Sequence, residues 1–213
     1  MAEAGTKKQK LVKAALQGVF GGIVGYASAR FFLGQLELEK IGIDAMLLVS
    51  VGLIYAIIGI FIGAGLLAPK LVGARLLNVE DAEELIEQRR ILTGSSICMV
   101  AIGGALIMLV ISGPGGYLPP VAGFAAIVAS VAVALIITLR DWKYYDELTL
   151  RVTLEASYLA FAVFCLVIWL WCSGAWVGWI AAPGPLAIMA LISGLYLLAI
   201  FIVAGKRGMM TPR

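Results

Sequence analysis

The fold class that the sequence predicts is an all-α, polytopic transmembrane bundle of six helices in three hairpins, with both termini in the cytoplasm. Three observations carry it. Of 213 residues, 62% are hydrophobic and only 14% charged, whereas an ordinary soluble domain is near half apolar and a quarter charged. Too few polar residues exist to clothe a water-facing surface, so the excess apolar ones must face lipid. The uncharged runs match one or two crossings of roughly 20 residues each, and the basic residues fall on alternate sides of those crossings.

The first span covers about 11–33, with Lys13 and Arg30 near its ends. Lys7, Lys8, Lys10 and Lys13 ahead of an apolar run ending in Ala27-Ser28-Ala29 also have the form of a secretory signal with a small-residue cleavage site. The run continues through Phe31, Phe32 and Leu33, and a retained helix is the expectation. The second span, about 46–68, lies between Asp44 and Lys70, where 25 consecutive residues carry no charge. No charge appears from 91 to 139, twice the length of one crossing, and Gly113-Pro114-Gly115-Gly116-Tyr117-Leu118-Pro119-Pro120 stands in the middle. That density of glycine and proline breaks helices and makes turns, giving spans three and four at about 91–112 and 121–139. The pattern recurs in 156–205, interrupted at 174–185, so spans five and six fall at about 156–173 and 186–204. All of 1–213 reads as one integral membrane domain.

The connections at about 69–90 and 140–155 read as cytoplasmic helical extensions of the spans they join. Asn78 is placed to cap a helix, and Asp81 to Glu87 sets acids at its amino-terminal end, where the dipole favours them. Glu147 and Arg151 are four apart in the favourable order, worth about 0.3–0.5 kcal/mol as a helix pair. The two connections also resemble each other: Glu83-Glu84-Leu85 precedes Arg89 and Arg90, and Asp146-Glu147-Leu148 precedes Arg151, each ahead of an uncharged hairpin. This is the form a duplicated hairpin module takes.

Short loops rich in Lys and Arg stay in the cytoplasm. In the six-span reading the two tails and these two connections hold 14 of the 16 basic residues, leaving Arg30 and Lys40 on the other side. Tyr117, Trp171, Trp176 and Trp179 fall at the outer boundary and Trp142, Tyr144 and Tyr145 at the inner one, where aromatic belts form. The alternating segment Gln35-Leu36-Glu37-Leu38-Glu39-Lys40-Ile41 reads as an exterior loop.

Chemistry is sparse. Histidine is absent, removing the usual neutral-pH acid/base and the commonest transition-metal ligand. No P-loop or GxSxG motif occurs. Cys98, Cys165 and Cys172 lie in apolar runs without CxxC spacing and read as packing residues. The net charge of +3 is scattered at span edges, so no nucleic-acid partner is expected, and no catalytic, cofactor or metal residue is assigned. No ionisable side chain lies near a predicted midplane, which argues against proton-coupled transport through a buried carboxylate.

Two residue groups stand out as candidates. Gly18, Gly21, Gly22, Gly25, Gly59, Gly63, Gly103 and Gly104 are small residues on membrane helices, several spaced by four, and point to close helix packing. Glu83, Glu84, Glu87, Arg89, Arg90, Asp146, Glu147 and Arg151 form a charged cluster on the cytoplasmic side. The expected role is that of a multi-pass protein of a bacterial inner membrane, a non-enzymatic accessory or scaffold subunit acting through helix packing. Its partners are the lipid bilayer and a membrane-protein partner or second copy. The alternative is a transporter or channel for a small neutral or lipid-like solute, with a cavity lined by Ser50, Tyr55, Ser96, Ser130 or Ser193. A third reading, an enzyme at the inner leaflet, requires Glu83, Glu84, Asp146 and Glu147 to converge in one pocket.

Overall fold

The computed structural model describes residues 42–67, 89–113 and 116–207. Among them the chain is helical, with no strand: α1 Ile43–Leu67, α2 Arg89–Ile111, α3 Pro120–Asp141, a 3-10 turn Trp142–Tyr144, α4 Glu147–Trp176 and α5 Pro185–Lys206. All five α-helices are long and apolar enough to cross a membrane, which gives the chain the character of a helical membrane protein. The predicted first span with Gly18, Gly21, Gly22 and Gly25, the segment 35–41 and the connection 69–88 lie outside the described residues.

The ends of these helices follow local chemistry. Pro120 and Pro185 occupy first-turn positions, where the missing N–H would have had no intrahelical partner. Asp146 caps α4, its Oδ1 accepting a 2.8 Å hydrogen bond from the Thr149 backbone N–H. After α4 the chain turns through Gly178 at φ 77°, a left-handed conformation that glycine adopts without penalty. The connection at 140–155 is therefore divided: its start completes α3, residues 142–146 turn the chain, and 147–155 form the opening turns of α4. The extended cap at Asp146 is what separates the two helices.

Helix α1 packs most extensively on α2, α2 on α3 and α4 on α5, while α1 also contacts α5. The α1/α2 pair is antiparallel, since Gly52 meets Gly103 and Gly59 meets Ser96. The α1/α5 pair is parallel, since Asp44 at the start of α1 stands against Gly184 at the start of α5 and Tyr55 further along meets Ser193. Two apolar clusters result. One joins Ala45, Leu48, Val49, Leu106, Val110 and Ala190; the other joins Val152, Ala156 and Ala160 of α4 to Ala199 and Val203 of α5. Small residues dominate the second cluster, letting the two backbones approach closely.

This arrangement sorts charge. One end of the bundle holds Asp44 and the uncharged residues 112–113, 116–119 and 177–184; Asp44 stands against Gly184 there. The opposite end holds every basic residue among those described: Arg89, Arg90, Arg140, Lys143, Arg151, Lys206 and Arg207. Between the ends, α3 and α4 bury little of their apolar surface, and Phe124, Val131, Tyr158 and Trp169 are exposed.

Candidate functional site

The charged end contains the one concentrated polar constellation among the described residues. It is built on Asp141, the last residue of α3, which is only 1% exposed. Antiparallel packing places the start of α2 beside it. Arg90 Nε donates to Asp141 Oδ1 at 3.0 Å; Arg140 Nε donates to the same oxygen at 2.9 Å and Arg140 Nη2 to Oδ2 at 2.8 Å. Gly94, one turn beyond Arg90, makes the room: a Cβ there would come within 3.0 Å of Asp141 Oδ2 and 2.8 Å of Ile137 Cγ2.

Helix dipoles explain why the pair forms across helices. A carboxylate at the carboxyl end of α3 and a guanidinium at the amino end of α2 are each misplaced in their own helix. Side by side, Asp141 faces the positive end of α2 and Arg90 faces the negative end of α3. The guanidinium of Arg90 also lies 4.0 Å above the Tyr144 ring, and Lys143 Nζ is 5.2 Å from the same ring centre, both within cation–π range. Trp142 and Tyr145 meet edge to face at 6.3 Å. Burial, and then the negative charge of Asp141, pushes the Tyr145 phenol upward. Hydrogen bonds from the Thr149 side chain and backbone hold the Asp146 carboxyl below the ordinary aspartate value.

The charged residues singled out in the sequence do not form one site. Arg90 is in the constellation, and Arg89 precedes it, exposed, on the same turn. Asp146 is a helix cap, and Glu147 pairs with Arg151 at 2.7 Å in open solvent. Among the described residues no group of three His, Cys, Asp or Glu could hold a metal. Glu83, Glu84 and Glu87 lie outside the described residues, so the convergence that an enzyme needs is left with its described half, Asp146 and Glu147, engaged in local contacts.

The glycines separate in the same way. A Cβ on Gly103 would meet the Gly52 carbonyl oxygen at 2.5 Å, and one on Gly59 the Ser96 carbonyl oxygen at 2.9 Å. On Gly63 it would meet only the Ser96 hydroxyl, and on Gly104 nothing within 4 Å. The helices are unbroken at all four positions. Of the hydroxyls proposed to line a cavity, Ser50 and Ser130 donate to their own helices, Ser96 donates to the Gly59 carbonyl at 2.7 Å, and Tyr55 donates to the Ser193 carbonyl at 3.0 Å. Each of these four hydroxyls bonds to a backbone carbonyl.

Asp141, Arg140, Gly52 and Gly94 carry these contacts without a motif of their own in the sequence pattern, and Tyr144, expected there only as an inner-boundary aromatic, stacks on Arg90. The available signal was Asp141 itself, an acid in the last turn of an apolar helix against the dipole, a local misfit that calls for a partner elsewhere. Glu155 of α4 and Arg207 after α5 form a second interhelical ion pair at the same end. Compared with protein-family models, with curated proteins and with solved structures, the chain shows no match.

Proposed function

We propose that the chain is a six-span, multi-pass protein of a bacterial inner membrane, with both termini cytoplasmic, that serves as a non-enzymatic accessory or scaffold subunit through helix packing. The observation that carries this reading is how its interior polar groups are used. Ser96 and Tyr55 tie α1 to α2 and to α5 through backbone carbonyls, and the glycines of α1 and α2 bring backbone against backbone. An interior built for joining helices leaves few groups for recognising a solute. The sorting of all described basic residues to one end supports a cytoplasmic position for that end, and the apolar faces of α3 and α4 supply area for a partner helix as well as for lipid.

The test is purification of the tagged protein in a mild detergent or a native nanodisc, followed by mass spectrometry of the intact complex. A stoichiometric second chain or a homo-oligomer is the expected result. A lone chain carrying a defined small molecule would overturn the scaffold reading in favour of transport of a neutral solute.

A further inference from the structure

We infer that the Arg90–Asp141–Arg140 constellation, with Lys143 and Tyr144, is a binding site for the phosphate headgroup of an anionic phospholipid. The inference rests on the proposed bilayer-spanning arrangement with this end at the interface. Arg90 and Arg140 pair with the one carboxylate, and Arg89 beside Arg90 and Lys143 beside the Tyr144 ring add two further cations, so these residues carry a net charge of about +3. Asp141 is buried while Arg90 and Arg140 remain 47% and 54% exposed. The carboxylate thus acts from beneath, holding two guanidiniums in fixed positions with their outer faces open.

Arg90 uses only Nε toward Asp141, and its two terminal nitrogens make no hydrogen bond among the described residues. A planar guanidinium with two unused donors suits phosphate oxygens. Its stacking on Tyr144 fixes the plane, so little side-chain freedom remains to be lost on binding. Lys143, near the same ring, adds a further cation.

The surroundings favour a lipid over a free anion. On the bilayer side of the cluster α3 exposes Leu135, Ile136 and Leu139, followed by Trp142. Ile136, Arg140 and Lys143 follow one another at helical spacing, as do Leu135, Leu139 and Trp142, so an apolar strip leads straight into the cationic one. Acyl chains would lie along the strip while the phosphate meets the guanidinium, the arrangement of basic interfacial sites for anionic headgroups.

The experiment places the full-length protein in nanodiscs of phosphatidylcholine doped with phosphatidylglycerol and counts retained lipid by native mass spectrometry. Preferential retention of phosphatidylglycerol is expected. Lys143→Gln, which breaks no ion pair among the described residues, should lower it about five-fold, matching about 1 kcal/mol per interfacial cation. Arg90→Gln should lower it about ten-fold, with Arg90→Lys intermediate because the charge stays and the fork is lost. Arg151→Gln removes a cation at the same end but outside the cluster and should leave retention near that of the parent. Equal retention of the two lipids, an Arg151→Gln loss as large as that of Lys143→Gln, or displacement of phosphatidylglycerol by added inorganic phosphate would each overturn the headgroup site. Carbonate-resistant flotation with vesicles is read alongside: a parent protein that fails to insert would refute the bilayer-spanning arrangement, whereas full insertion without lipid preference refutes the site alone.

Discussion

Asp141 sits against the dipole of its own helix and joins two helices through its ion pair with Arg90. Its buried carboxylate is satisfied from α2 by Arg90 and from its own helix by Arg140, so removing the charge leaves two guanidiniums with a weaker acceptor. Asp141→Asn is expected to lower the thermal midpoint of the detergent-solubilised protein clearly more than Glu147→Gln, whose ion pair is solvent-exposed and worth little. A pH effect belongs to Asp146. Its carboxyl is held below its unfolded value, so its contribution is complete above the unfolded pKa of about 3.9 and is lost as pH falls through the folded value. Acid titration followed by amide hydrogen exchange should show the start of α4 fraying in the parent protein. Asp146→Ala should remove that pH dependence and cost about 1 kcal/mol near neutral pH.

At the scale of elements, the α1/α2 interface depends on small residues in register. Gly103 faces the α1 backbone and its neighbour Gly104, about 100° further round the helix, faces open space. Gly103→Ala is therefore expected to destabilise the protein by about 1–3 kcal/mol through overpacking, while Gly104→Ala should be neutral or gain up to about 1 kcal/mol of helix propensity. Denaturant unfolding of the two variants side by side checks the contrast. The sequence presents both glycines alike, because a Gly-Gly pair does not say which member meets a neighbour. Gly52 has no glycine at a spacing of four to mark it, since the residue four positions on is Ala56, although alanine also permits close approach.

For the whole molecule, the separation of a charged end from an uncharged one gives a direct test of orientation. In a background lacking Cys98, Cys165 and Cys172, Trp179→Cys is expected to react with an impermeant maleimide on intact cells. Lys143→Cys should react only after permeabilisation, because the proposed topology places it inside. Labelling in the reverse order would invert the topology. The helical class and four of its hairpin partners were legible from uncharged run lengths and Gly/Pro turns, as α2 with α3 and α4 with α5 show. The charged constellation was not legible, because Arg90 and Asp141 are 51 residues apart and no local pattern links them.

What the sequence determined by itself is the class of the molecule. Hydrocarbon tolerates only long apolar segments with satisfied backbone, and that demand is written locally in the runs around α1 to α5 and in the prolines and glycines between them. What only the tertiary structure decided is which helix faces which. In an apolar solvent the hydrophobic pattern of a helix is nearly uniform around its axis, so it does not mark a buried side. The contacts of Gly52 with Gly103, of Tyr55 with Ser193 and of Asp141 with Arg90 arise from packing between distant segments, and the assembly of a charged site follows from that packing.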